Sequence, residues 1–278
     1  MDDNNLTDYE ILQVGDKPAD IFQIDAIEKA NVDIQVSTAK QYPRDIRRCV
    51  DNSVVLATMN LATAQTCGYA LPRGGKPITG PSVHLAKILV SNWGNMRTEA
   101  KVVQITDRQI ISRGTAWDLE TNVASAFEVR RSIVGKDGKR FSDDMITVTG
   151  NAANSIAYRN AVFAVIPKGI VDRVYSAAQK MITGDLSNCD LLLKKRTEIL
   201  NTFKNDYKIT EEEVIKICGK ETVNQINSDS IALLIGTLQS LKDGDTNVAD
   251  LMKPIREQKL TVEEKKSQLK GKDKPLLP

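Results

Sequence analysis

The sequence predicts an α+β fold: helices, then a three-stranded antiparallel β-meander, then helices flanking it, followed by a small C-terminal helical bundle. Three observations predict it. Apolar residues recur at helical spacing from Ile21 to Ala30 and from Tyr42 to Ala64. Between Arg97 and Ser132 the period changes to two, and the separators are short enough for hairpins. Helical spacing then returns and continues to about residue 250. Strands that follow one another directly, with helices before and after, place the helices on one face of an antiparallel sheet.

The elements follow in order. Residues 1–20 are polar, acidic and without clear periodicity, the composition of a flexible leader. Residues 21–184 form the α+β core, and its second helix carries Ile46, Val50, Val54, Ala57, Leu61 and Ala64 on one stripe. Glycines and prolines from Gly68 to Ser82 break that helix into a loop or short hairpin with Arg73 and Lys76 at its tip, and a further helix starts near Ser82. Lys101–Thr106, Gln109–Trp117 and Val123–Ser132 are the strands, rich in Val, Ile and Thr. A basic turn holds Lys136, Lys139 and Arg140. Thr147 or Thr149 is placed to cap a long helix through Asn160, and Pro167 to end it or open the next, which runs to about Met181. Residues 185–250 read as a separate three-helix module, with a capping box at Thr210 and Glu213 and stops at Gly219 and Gly244. Residues 251–278 are a charged, flexible tail.

Charge is distributed unevenly although the net value is only +2. Residues 1–30 hold two basic and eight acidic side chains, whereas residues 31–200 hold 23 basic and 15 acidic ones. Residues 201–250 turn acidic again, with five against nine. Basic charge thus collects in the folded body, as a polyanion partner requires.

Several functions lose support. No apolar run approaches the roughly 18 residues of a membrane span, and the acidic start MDDNNLTDYE is unlike a secretory signal, so a cytoplasmic protein is expected. Cys49, Cys67, Cys189 and Cys218 are scattered and read as reduced thiols. His84 is the single histidine, so no Ser-His-Asp or Cys-His arrangement can be built without it and no histidine-rich metal site is possible; on such a helix it reads as structural. Gly74-Gly75-Lys76-Pro77 lacks the glycine and hydroxyl of a phosphate-binding loop. Glu99-Ala100-Lys101 has the acid-x-Lys spacing of some metal-dependent nucleases, with Asp107, Asp118 and Glu120 as further carboxylates, but so short a pattern recurs by chance. No enzyme, cofactor or metal site is therefore expected.

Asp143 to Pro167 resembles the closing motif of the Erf family of phage annealing proteins, through Thr149-Gly150, Ala152-Ala153, Tyr158-Arg159 and Val162-Phe163. The element order is similar to the β-β-β-α core shared by the Erf, RecT and Red-beta families, and Ala64 to Ala70 is similar to a helix-to-Gly-Tyr-Ala passage of RecT-type proteins. The family's Arg-Lys-Tyr step stands here as Arg159-Asn160-Ala161, one cation fewer. The resemblance implies ATP-independent binding of single-stranded DNA, annealing through a duplex intermediate, and self-assembly into rings or filaments. It also implies contact of the C-terminal module with a partner exonuclease or a host single-strand-binding protein.

Such a protein needs a basic groove that holds the phosphates and leaves the bases free. Its walls are expected at Arg44, Arg47 and Arg48 on one side of the second helix, and at Arg73 and Lys76. The hairpin residues Arg130, Arg131, Lys136, Lys139 and Arg140 continue it, with Arg159. Asn151 and Asn154 are expected beside free N–H groups at the start of the long helix. The stacking aromatics would come from Tyr42, Tyr69, Trp93, Trp117, Phe127 and Tyr158. A single-strand-coating protein, or an adaptor acting through its C-terminal helices, is the alternative.

Overall fold

A computed structural model of the protein describes residues 18–71, 78–135, 137–184 and 189–256. Three helices, α1 (Pro18–Gln41), α2 (Ile46–Ala57) and α3 (Leu61–Thr66), lead into a small hairpin of β1 (Gly68–Leu71) and β2 (Ile78–Pro81). Helix α4 (Val83–Trp93) precedes the meander β3 (Met96–Ile105), β4 (Gln109–Asp118) and β5 (Val123–Ser132). Then follow α5 (Asp143–Val165), α6 (Lys168–Gly184), α7 (Cys189–Tyr207), α8 (Glu211–Ile217) and α9 (Ser228–Lys242), with a further helical stretch at 248–256. No helix among the described residues is long and apolar enough to cross a membrane.

The meander lies in the order β3-β4-β5, antiparallel throughout, with one bulge between Val102 and Gln104. Helix α5 crosses one face of it closely. A Cβ on Gly114 of β4 would lie 2.2 Å from the carbonyl oxygen of Ala157, so no side chain fits there. The facing stripe of α5 is correspondingly small: Ala153, Ala157 and Ala161 are all fully buried. From β4, Ile110, Ser112, Ala116 and Asp118 are buried against this face, and the alternate residues point away from it. No helix packs closely on the opposite face of the sheet among the described residues, and α1 reaches it through Glu28, 3.8 Å from Arg97.

Three local expectations are corrected. The single helix from Tyr42 to Ala64 is two, because Asp45 caps α2 through the amides of Arg47 and Arg48, and Asn60 caps α3 through Thr63 N at 2.8 Å. Arg44 therefore precedes the helix and shares no helical face with Arg47 and Arg48. The long helix is capped by Ser142, whose hydroxyl takes Met145 N, so Thr147 and Thr149 sit inside it and bond back to the carbonyls of Asp143 and Met145.

The C-terminal helices share the main core. Phe203, Ile209, Leu234 and Met252 belong to one buried cluster with Leu85, Leu89, Val162 and Val174, so packing is continuous across residue 184. Gly236 of α9 lies against Ala70 of β1, and Ser240 Oγ accepts from Ala70 N at 3.1 Å. Two thiols are enclosed in this packing: burial pushes Cys67 up to about 11 and Cys218 up to about 12.

Candidate nucleic-acid interface

Basic residues of this chain fall into two environments, and the first is internal. Arg44 keeps only 6% of its side chain exposed. Its guanidinium bonds both oxygens of Asp118 at 2.6 and 2.5 Å and Glu120 Oε1 at 2.9 Å, while lying 4.5 Å from the Trp93 ring centroid. Trp93 Nε1 donates to the same Asp118 carboxylate, and Asn95 Nδ2 donates to Glu120. Burial pushes the Glu120 carboxyl up, but the bonds from Asn95 and Arg44 prevail and hold it below its ordinary range. Two carboxylates considered as metal ligands are thus engaged by an arginine, and Glu99 lies 3.0 Å from Lys101.

Arg159 is also internal. Its Nη1 donates to Asp245 Oδ2 at 3.1 Å, and its guanidinium stacks 4.2 Å over Tyr69. Arg131 reaches the same turn and donates to the carbonyl of Asp245 at 3.1 Å. Burial raises the Asp245 carboxyl above its ordinary value, outweighing the attraction of Arg159. Arg44 and Arg159, both expected in a phosphate groove, instead pin distant segments together.

Other expected residues scatter. Arg47 and Arg48 are exposed on the first turn of α2. Arg130 and Arg131 are neighbours on β5 and so face opposite ways, Arg130 outward and Arg131 toward α5. Lys139 and Arg140 are exposed, and Arg140 Nη1 donates to Thr106 O at 3.2 Å, which sets it beside the β3–β4 turn. Asn151 and Asn154 lie well inside α5, where the amide ladder is closed, so no free helix N-terminus adjoins them. Asn154 Oδ1 is buried without a hydrogen-bond partner. Arg73, Lys76 and Lys136 lie outside the described residues.

The second environment is the bare face of the meander. Its register sets four rows across the sheet: Arg97–Trp117–Ala124, Glu99–Thr115–Ala126, Lys101–Arg113–Glu128 and Gln104–Ile111–Arg130. Four cations and two carboxylates, Glu99 and Glu128, therefore share this face with one indole, and Arg97 lies 3.8 Å from Glu28 of α1. The alanines of β5 leave a trough of about 380 Å³ beside Trp117, bordered by Arg97, Arg113 and Thr115. Trp117 Nε1 donates to Asn122 Oδ1 at 3.1 Å, which fixes the ring, and Asn122 holds the β4–β5 turn in a left-handed conformation at φ 58°. Lys101 and Arg113 stand directly opposite each other, a repulsion that Glu128, on the other side of Arg113 in the same row, partly relieves. The exposed Lys101–Glu99 pair offsets it little.

Sequence reasoning chose Arg130 but missed Arg97, Lys101 and Arg113 as binding residues. The signal was there in the alternation: Arg97, Glu99 and Lys101 on one strand, and Arg113, Thr115 and Trp117 on the next, occupy every second position. Such a surface can hold a polyanion carrying flat rings, by charge and stacking. Comparison of the chain with protein-family models, with curated proteins and with solved structures finds no match.

Proposed function

We propose that the protein binds single-stranded DNA on the bare face of its meander and promotes annealing of complementary strands without ATP, as a recombination mediator of the Erf, RecT and Red-beta kind. The observation that carries the reading is a shallow trough beside a fixed tryptophan, with Arg97 and Arg113 on its border, on a sheet face that also carries Lys101 and Arg130. Arg97, Lys101, Arg113 and Arg130 neutralise phosphates without reading bases, and Trp117 offers a stacking surface to any base. The strands run for about 33 Å at the usual rise, and Arg140 extends the cationic surface beyond the β3–β4 turn. A strand held this way keeps its pairing edges open to a complement. Bond chemistry is not required, so no cofactor or metal enters the mechanism. Self-assembly into rings or filaments, and contact with a partner exonuclease or host single-strand-binding protein in the host cytoplasm, complete the reading.

Tryptophan emission tests it directly, because Trp93 is only 5% exposed and any quenching by an oligonucleotide reports on Trp117. Titration with single-stranded DNA should quench emission in a salt-sensitive way. Two complementary labelled oligonucleotides should anneal faster with the protein, in the absence of ATP and divalent metal, and Trp117→Ala should abolish quenching and slow annealing. Unchanged emission together with no acceleration would sink the proposal. The adaptor alternative needs substitutions on the surface rather than truncation near residue 195, since Phe203, Leu234 and Met252 are part of the main core.

A further inference from the structure

We infer that the free edge of β5 pairs with β5 of a second copy of the chain, antiparallel and about a two-fold axis at Val129. The inference goes beyond the DNA-binding reading and does not depend on it.

The meander has two edges, and β5 is the open one. It pairs with β4 at ten consecutive positions, Val123 to Ser132, without a bulge. It contains no proline or glycine, and among the described residues no backbone group outside β4 bonds to it. A straight edge of that length presents a row of unpaired amides and carbonyls, on which another strand adds. Its side chains agree, since Val123 and Phe127 are 48% and 41% exposed. The other edge is blunted. Strand β3 carries the bulge between Val102 and Gln104, and its Arg97 lies 3.8 Å from Glu28 of α1.

Charge selects the partner and the register. On the bare face β5 sets Ala124, Ala126, Glu128 and Arg130. Glu128 has Arg113 opposite it, whereas the row of Arg130, with Gln104 and Ile111, holds no carboxylate. A two-fold axis perpendicular to the sheet makes the two β5 strands antiparallel and keeps both bare faces on one side. Centred on Glu128 or on Arg130, the pairing sets like charges directly opposite each other, which destabilises it. Centred on Phe127, it leaves both charges opposite alanines. Centred on Val129, it brings Glu128 opposite the partner's Arg130 and Arg130 opposite the partner's Glu128. Each Arg130 then gains the carboxylate that its own row lacks, and each Glu128 lies between two arginines. On the other face the exposed Phe127 meets the aliphatic stem of the partner's Arg131. The overlap runs from Ala126 to Ser132, longer than the usual strand of about 5–6 residues. The same patch serves both copies, so the contact closes as a dimer. The two meanders join into one sheet with a continuous bare face about 24 Å across.

The test uses the full chain without DNA. Val129→Cys places a thiol on the two-fold axis, so mild oxidation should join two chains by a disulfide, read as a doubled mass that reductant reverses. Phe127→Cys, two positions away on the same face, and the wild type with its own thiols should stay single. Adding Glu128→Arg or Arg130→Glu to the Val129→Cys chain sets like charges opposite each other twice, and should slow cross-linking by about tenfold. An equimolar mixture of those two charge variants should recover the rate, because their heterodimer pairs opposite charges at both positions. Circular dichroism and melting curves accompany each variant, and Val129→Cys with its Phe127→Cys control decides the matter if a charge variant fails to fold. No disulfide at Val129→Cys, equal cross-linking at Phe127→Cys, or a mixture as slow as its components would each overturn the inference. Trp117 quenching by DNA is read separately on the Val129→Cys chain, so failure of pairing and failure of DNA binding are told apart.

Discussion

The arginines on the bare face of the meander and the arginines inside the molecule are the same chemical group in opposite surroundings. Arg113 and Arg130 are exposed on the open sheet face, Arg113 directly opposite Glu128 and Arg130 two residues further along the same strand as that carboxylate. Arg44 and Arg159 are almost wholly enclosed, each with a carboxylate in bonding distance and an aromatic ring beneath it. Inside, desolvation makes the charge dependent on its partner, so removal of either member leaves an uncompensated ion. Outside, water supports the charge at little cost, whether or not a carboxylate is near. The difference teaches that arginine count along a sequence says little about a polyanion site until each residue's carboxylates are known.

Three experiments break or sharpen this contrast. The largest effect is expected from Arg159→Ala, which strands Asp245 in a buried site and should cost about 3–5 kcal/mol in urea unfolding. Its folded fraction should quench with DNA as the wild type does. Weaker DNA binding with unchanged stability would reverse the assignment of the two environments.

Next comes the paired substitution Arg113→Gln/Arg130→Gln. Stability should stay within about 0.5 kcal/mol, as for surface changes generally. The slope of log affinity against log salt should fall by about 0.7 for each phosphate of a single strand that is no longer neutralised. An unaltered slope would remove the bare face from the site.

The smallest effect concerns acid. Glu120 titrates below its ordinary value in the folded chain, so its contribution is present above about pH 4.3 and is lost as pH falls through the depressed folded value. Thermal melts of Glu120→Gln should therefore lose less stability than the wild type between pH 5 and 3, by about 1 kcal/mol or less given the partial exposure. Identical acid profiles would mean that Asp118 alone holds Arg44.

The regular features of the fold were legible because they are written locally. Period-two alternation marked all three strands, Ser82 and the Thr210–Glu213 pair marked helix starts, and positive φ at Gly219 and Gly244 falls where helix stops were expected. The break between α2 and α3 was not legible, since the spacing Val54, Ala57, Leu61 and Ala64 continues across the Asn60 cap as though one helix ran through. Ser142 was overlooked although Asp143 and Asp144 behind it are the acidic first turn that favours a helix start. The site failed for a different reason. Arg44 meets Asp118 across 74 positions and Arg159 meets Asp245 across 86, distances over which no local pattern carries information. Which side of the meander stays bare was equally hidden, because it follows from the alanine stripe of α5 closing on Gly114.

The bond from Ala70 N to Ser240 Oγ spans 170 positions, and it ties the first hairpin to the last long helix. During synthesis at about 5–20 residues per second, that hairpin waits roughly 10–30 s for its partner to be made. Over that interval the nascent chain presents an unfinished apolar surface to the cell, and a holding chaperone would have its longest opportunity there. Slowing translation upstream of α9 should therefore lower the yield of native protein more than slowing it after residue 256.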